Sequence, residues 1–131
     1  MKLDDILGNI ADQDKGRRLE IVDPFEGKPT GIVFHVVGPD SDTAQRARIA
    51  LADDLAEAAD DDGRVGAEAR EKARLACLAK HVLRWDGAEE GGKPVPFSTK
   101  NLLTLLRVQW VQVQVDAFAA DRRNFAPEVA G

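Results

Sequence analysis

Thr30-Gly31-Ile32-Val33-Phe34-His35-Val36-Val37-Gly38-Pro39-Asp40-Ser41 is the stretch on which the fold turns. Ile32, Phe34 and Val36 alternate with Val33, His35 and Val37. A two-residue period in a run rich in β-branched side chains predicts a strand. Both sets are largely apolar, so one face needs a helix packed on it and the other needs further cover. Gly38-Pro39 stops the strand. Asp40 or Ser41 then supplies an amino cap, accepting from backbone donors that have no partner in the first turn of a helix.

Upstream, Arg17 to Val22 repeats the same period, with Leu19 and Ile21 on one side and Arg18 and Glu20 on the other. Asp23-Pro24-Phe25-Glu26-Gly27-Lys28-Pro29 is rich in turn formers, so residues 17–38 read as an antiparallel hairpin. A two-stranded ribbon is marginal alone in water. It must lie on the helices that follow or be completed by another chain. Ahead of it, residues 1–16 read as a short amphipathic helix. Leu3, Ile6, Leu7 and Ile10 fall at helical spacing, Asp4 and Asp5 favour the amino end, and Gly8 weakens the element.

Downstream the period becomes helical. From Asp42 to about Ala59, Ala44, Ala47, Leu51, Leu55 and Ala58 share a stripe. Asp60-Asp61-Asp62-Gly63 ends the helix as a solvated turn, because Arg64 follows at once and a calcium loop needs spaced oxygen ligands. A second helix is predicted from about Gly66 to Arg84. It is rich in alanine, and Leu75, Leu78, Val82 and Trp85 continue as one stripe. Residues 88–96 form a surface excursion or β-like turn, and Gly91-Gly92-Lys93 lacks the spacing of a phosphate loop. Phe97 precedes the cap Ser98 as a hydrophobic staple for a helix carrying Leu102, Leu103, Leu105 and Leu106. Val108 to Val115 alternates in part like a strand, yet Val108, Val111, Val115 and Phe118 make a helical face, so residues 107–122 are read as helix. From Asn124 to Gly131 the chain is expected to fray, with Pro127 as a break. The fold class is therefore α+β. We expect one predominantly helical domain over residues 1–131, with about four to five helices, an N-terminal antiparallel two-stranded hairpin at 17–38 and a helical part at 41–125.

Composition bounds the function. The chain has 131 residues, with 18 Lys+Arg against 23 Asp+Glu and a net charge of -5. That length suits one core. At 44% hydrophobic and 31% charged, it is neither disordered nor membrane-like in bulk. The acidic balance argues against nucleic acid as a partner, since phosphate neutralisation needs a cationic face. No apolar run approaches the ~20 residues of a membrane span. The amino end, acidic and interrupted, does not read as a secretory signal. Cys77 alone excludes an internal disulfide and reads as a small buried hydrophobe.

Catalytic chemistry needs a nucleophile, base or metal cluster in mutual reach. Only His35 and His81 are available, on different elements, and no Tyr. His35 with Asp40 is an acid/base pair that no spacing demands. His81 reads as a helix residue near a carboxyl end, where positive charge is well tolerated. Arg17-Arg18 and Arg122-Arg123 are short basic groups on solvated faces. The reading is of a protein that is not an enzyme, with no catalytic residue, cofactor or metal. The large aromatics stand out instead: five of the seven, Trp85, Phe97, Trp110, Phe118 and Phe125, fall after residue 84. An alanine-lined core has little room for all of them, so some are expected to face a partner. Trp110, off the Val111/Val115/Phe118 stripe, is the preferred exposed residue. Phe97, Gln114 and Phe118 complete the candidate partner-binding set.

The order of short segments carries a resemblance. It begins with the strand quoted above and the charged helix after it. Leu83-Arg84-Trp85-Asp86-Gly87, Gly92-Lys93-Pro94-Val95-Pro96-Phe97-Ser98 and Asn101-Leu102-Leu103 follow. Gln109-Trp110-Val111-Gln112-Val113-Gln114-Val115-Asp116 and Asn124-Phe125 close it. Across Leu19 to Phe125 this is similar to the tail assembly chaperones of long-tailed phages and prophages. The resemblance implies a small, mostly helical protein of the host cytoplasm that binds the tape-measure protein before tail-tube polymerisation. It would also help recruit tail-tube subunits, and it would not remain in the mature virion. A groove between helices would suit an amphipathic helix. Self-association is left open, and no nucleic acid or membrane is implied. The alternative is a structural tail component, such as a terminator or connector subunit, retained in the particle.

Overall fold

The computed structural model describes residues 1–127 of the chain. Helix α1 (Leu3–Gln13) leads into strands β1 (Arg17–Val22) and β2 (Pro29–Val36). Helices α2 (Asp42–Ala58) and α3 (Ala67–Ala79) follow and pack on each other, then strand β3 (Val82–Asp86). A minimal hairpin, β4 (Glu89–Glu90) and β5 (Lys93–Pro94), precedes helices α4 (Thr99–Leu106) and α5 (Gln109–Ala120) and a 3-10 turn at Arg122–Phe125. Among the described residues the fold is α+β with five helices, but its strands are not only an N-terminal hairpin. The main sheet has three strands in the order β1-β2-β3, antiparallel throughout, with β2 at the centre.

The helix predicted over 66–84 therefore stops early. α3 ends at Ala79 with Lys80 as its cap, and Val82 to Asp86 turns back to pair with β2. The free edge of an apolar central strand needs backbone partners, and this demand outweighs the weak helical preference of Val82-Leu83-Arg84-Trp85. The misleading three-residue spacing has a physical origin. Phe34 pairs with Trp85 and Val36 with Val82, and the register slips between them. That bulge turns Val82 and Trp85 to one side of the sheet, where regular alternation would separate them. The strand thus buries the same side chains that a helix would have buried.

One face of the sheet makes the core. Ile21, Phe34, Val36 and Val82 meet Leu78 and Ala79 of α3, Leu102 and Leu106 of α4, and Val111, Val115 and Ala119 of α5. Trp85 stacks on Phe34 with ring centroids 6.0 Å apart and donates its Nε1–H to the Val95 carbonyl at 3.0 Å. Phe97 meets the other side of Trp85 edge-on at 5.2 Å, and Ser98 caps α4 by accepting from the Asn101 N–H. The opposite sheet face carries charge. Val33 and His35 are flanked across the strands by Glu20 and Arg18 and by Asp86 and Arg84.

α5 is a helix as the sequence predicts. Val111, Val115 and Ala119 are buried at a four-residue period, while Val113 is 53% exposed. Of the two cap candidates for α2, Ser41 is used: its Oγ accepts from the Ala44 N–H at 3.1 Å. The expected fraying from Asn124 does not hold within the described residues. Phe125 is fully buried and packs edge-on against Phe118 at 5.4 Å, so the turn is pinned by an aromatic contact. Residues 128–131 of that expectation lie outside the described residues.

Candidate partner-binding surface

Three of the four predicted contact residues share one face of α5. Trp110, Gln114 and Phe118 are four residues apart, and this face lies against β1. Gln114 is engaged within the fold: its Oε1 accepts from the Val22 N–H at 2.9 Å, and its Nε2 donates to the Val22 carbonyl at 2.8 Å. Trp110 and Phe118 are half-buried and packed against the core. Phe97 lies elsewhere. It is 37% exposed and lines a cleft of about 270 Å³ with Ala79, Lys80, Leu102 and Leu103. The predicted set is therefore one intramolecular stripe plus one separate aromatic.

The histidines also sit apart. His35, buried on the charged sheet face, brings its Nε2 to 2.8 Å from Asp86 Oδ2, not to Asp40. The hydrogen bond from His35 holds the Asp86 carboxyl below its usual range. His81 follows α3 and lines a cleft of about 400 Å³ with Arg48, Cys77, Asp116 and Ala119. Its Nδ1 lies 2.9 Å from the Cys77 carbonyl, and burial pushes its pKa down. The Cys77 carbonyl, in the last turn of α3, favours a charge there as the helix-end reading expects, but burial of the ring outweighs it. Cys77 is buried, its thiol donates to the Ala47 carbonyl, and burial pushes its pKa up, away from thiolate. Asp60 accepts from the Asp62 and Arg64 N–H groups, which makes the acidic run a turn. Among the described residues no three His, Cys, Asp or Glu side chains are grouped to hold a metal.

The sequence missed a different surface. Leu3, Ile6 and Leu7 of α1 are 68%, 45% and 54% exposed, so the apolar stripe of this helix faces solvent. Its polar flank is the side fastened to the body. Asn9 Nδ2 donates to the Phe125 carbonyl at 2.8 Å. Gln13, fully buried, donates through Nε2 to Asn9 Oδ1 and Asp40 Oδ2, and its Oε1 accepts from the Asp40 N–H at 2.9 Å. Arg122 forms a two-point bridge to the same Asp40 at 2.6 and 2.8 Å, the first cause of the lowered Asp40 pKa. The signal available in the sequence was the pair of uncharged amides, Asn9 and Gln13, one turn apart beside the apolar stripe. Buried amides bring partners with them.

Residues 40–130 match the family described as YdaY prophage protein. No curated protein and no solved structure matches the chain.

Proposed function

The chain belongs to the YdaY prophage protein family, and from that membership we propose that it is a tail assembly chaperone, binding the tape-measure protein noncovalently before the tail tube polymerises. A prophage protein serves some step of a phage life cycle, and the order of segments from Leu19 to Phe125 favours tail assembly among those steps. The observation that carries the reading is the outward stripe of Leu3, Ile6 and Leu7 on a helix whose polar flank is bound inward. Contiguous apolar surface held away from a protein's own core is contact surface for another molecule. The proposed work is binding and not catalysis, in the host cytoplasm, with the tail-tube protein recruited to the complex and the chaperone absent from the finished tail.

Coexpression with the tape-measure protein of the same prophage tests this. We expect the tape-measure protein to remain in the supernatant and to co-elute with this chain. A partner equally insoluble with and without the chain, and no complex on elution, would overturn the reading. Mass spectrometry of purified tails should find the chain absent. Stoichiometric retention would instead make it a terminator or connector subunit.

A further inference from the structure

We infer that the cleft of about 400 Å³ between α2, α3 and α5 binds a small zwitterion, an α-amino acid with an aliphatic side chain. The inference goes beyond the chaperone reading and does not depend on it. Three polar groups meet at this cleft without a matching partner. Arg48 of α2 donates only to the neutral Pro39 carbonyl, at 2.9 Å, and Asp116 stands on α5. Among the described residues no ion pair engages either charge. Both act on His81, in opposite senses, so they flank the same imidazole. The third group is His81 itself. A carbonyl can only accept, so Nδ1 donates to Cys77 and Nε2 of the neutral ring is left as an acceptor. No buried side-chain nitrogen among the described residues lacks a partner, so Nε2, which has none in the fold, is open to solvent. The other cation of the cleft, Arg74, is already met by Glu71 through hydrogen bonds of 3.1 and 2.7 Å. Leu51, Leu78 and Ala119 line the same space and make it apolar between the charges. One ligand chemistry answers all of these. A carboxylate meets Arg48, an ammonium donates to Asp116 and to Nε2, and an aliphatic body covers the leucines. A simple anion would leave Asp116 and the Nε2 lone pair unanswered, and a simple cation would leave Arg48 so. The volume falls in the ordinary range of small-molecule sites, about 300–1,000 Å³.

The test uses the full chain, isotope-labelled for NMR, and three probes of one carbon skeleton. Free leucine carries both charges, 4-methylpentanoate lacks the ammonium and 3-methylbutylamine lacks the carboxylate. We expect leucine to give saturable shifts at the residues of the cleft, with a dissociation constant of about 1 mM, and each analogue to bind about tenfold more weakly. Arg48→Gln should weaken leucine about tenfold and leave 3-methylbutylamine unchanged. Asp116→Asn should weaken leucine to the same degree and leave 4-methylpentanoate unchanged. Both side chains are exposed, so circular dichroism and the urea midpoint should match wild type in each variant. Leucine that produces no saturable shift overturns the inference. So does equal affinity for the three probes, which would make the contact apolar only, or undiminished leucine binding by either variant. Tighter binding of 4-methylpentanoate than of leucine also overturns it, and would make the cleft a site for simple carboxylates. Because none of these readouts involves the tape-measure protein, failure here leaves the chaperone reading standing, and failure of coexpression leaves this inference standing.

Discussion

Gln114 on α5 holds both backbone polar groups of Val22 in β1, accepting from its N–H at 2.9 Å and donating to its carbonyl at 2.8 Å. A side-chain amide thus does at the edge of the sheet what a neighbouring strand would do, and it closes that edge locally to pairing with another chain. Gln114→Ala should leave both groups half-buried without a partner and destabilise the fold by about 2 kcal/mol. Urea unfolding measures this. An unchanged midpoint would mean that Gln114 is free to serve a partner.

Gln13 plays the corresponding part for α1, joining the helix to the backbone and carboxylate of Asp40. Gln13→Leu keeps the bulk but strands the Asp40 N–H, so we expect a loss of about 1–3 kcal/mol. Hydrogen exchange should rise across residues 3–13 before the rest of the chain opens. Arg122→Ala removes only the exposed bridge to the same Asp40 and should cost clearly less than Gln13→Leu. Equal effects for the two variants would contradict this division of labour.

His81 sets a pH dependence. Burial holds its folded-state pKa below the ordinary value of 6.5; the Cys77 carbonyl opposes this, Arg48 acts with it and Asp116 against it. The unfolded chain therefore binds a proton first as pH falls. Stability from this group is complete above pH 6.5 and declines as pH drops through 6.5 toward the depressed folded value. Urea midpoints measured from about pH 8 down to pH 5 should fall for wild type and fall less for His81→Gln. Parallel profiles would place the proton uptake elsewhere.

How legible these features were in the sequence depended on whether a local period had a single structural meaning. Phe34 and Val36 could only be a buried strand, whereas Val108 to Val115 had both a strand and a helix reading, and the four-residue period of buried Val111, Val115 and Ala119 gives it to the helix. Val82 and Trp85 had two meanings. Three residues apart is one face of a helix, but it is also one face of a strand interrupted by a bulge, and only the unpaired edge of β2 decides between them. The site was harder to read for the same reason. The stripe of Leu3, Ile6, Leu7 and Ile10 looks identical whether it faces a core or a partner. Its direction is set by Asn9 and Gln13, whose acceptors and donors, Phe125 and Asp40, lie far away in the chain. The α5 aromatics show the same ambiguity from the other side. Trp110 lies off the Val111 stripe, but α5 has a second neighbour in β1, so that flank is half-buried as well.

The turn after β3 offers a paired test of close packing. Gly87 and Gly63 both have positive φ, at 80° and 78°, so alanine at either position carries the same left-handed strain of about 1–2 kcal/mol. Their surroundings differ. At Gly63 a Cβ would enter open space, whereas at Gly87 it would land on the Gly31 carbonyl oxygen, where β3 leaves the sheet beside the start of β2. Relieving that clash requires the two backbones to part next to the Val33–Asp86 pair. Gly87→Ala should therefore destabilise by roughly 2 kcal/mol more than Gly63→Ala, the usual size of a backbone shift forced on a well-packed site. Thermal unfolding of the two variants side by side measures the difference. Equal losses would mean that the strand ends separate freely and that the close approach contributes nothing to holding β3 in the sheet.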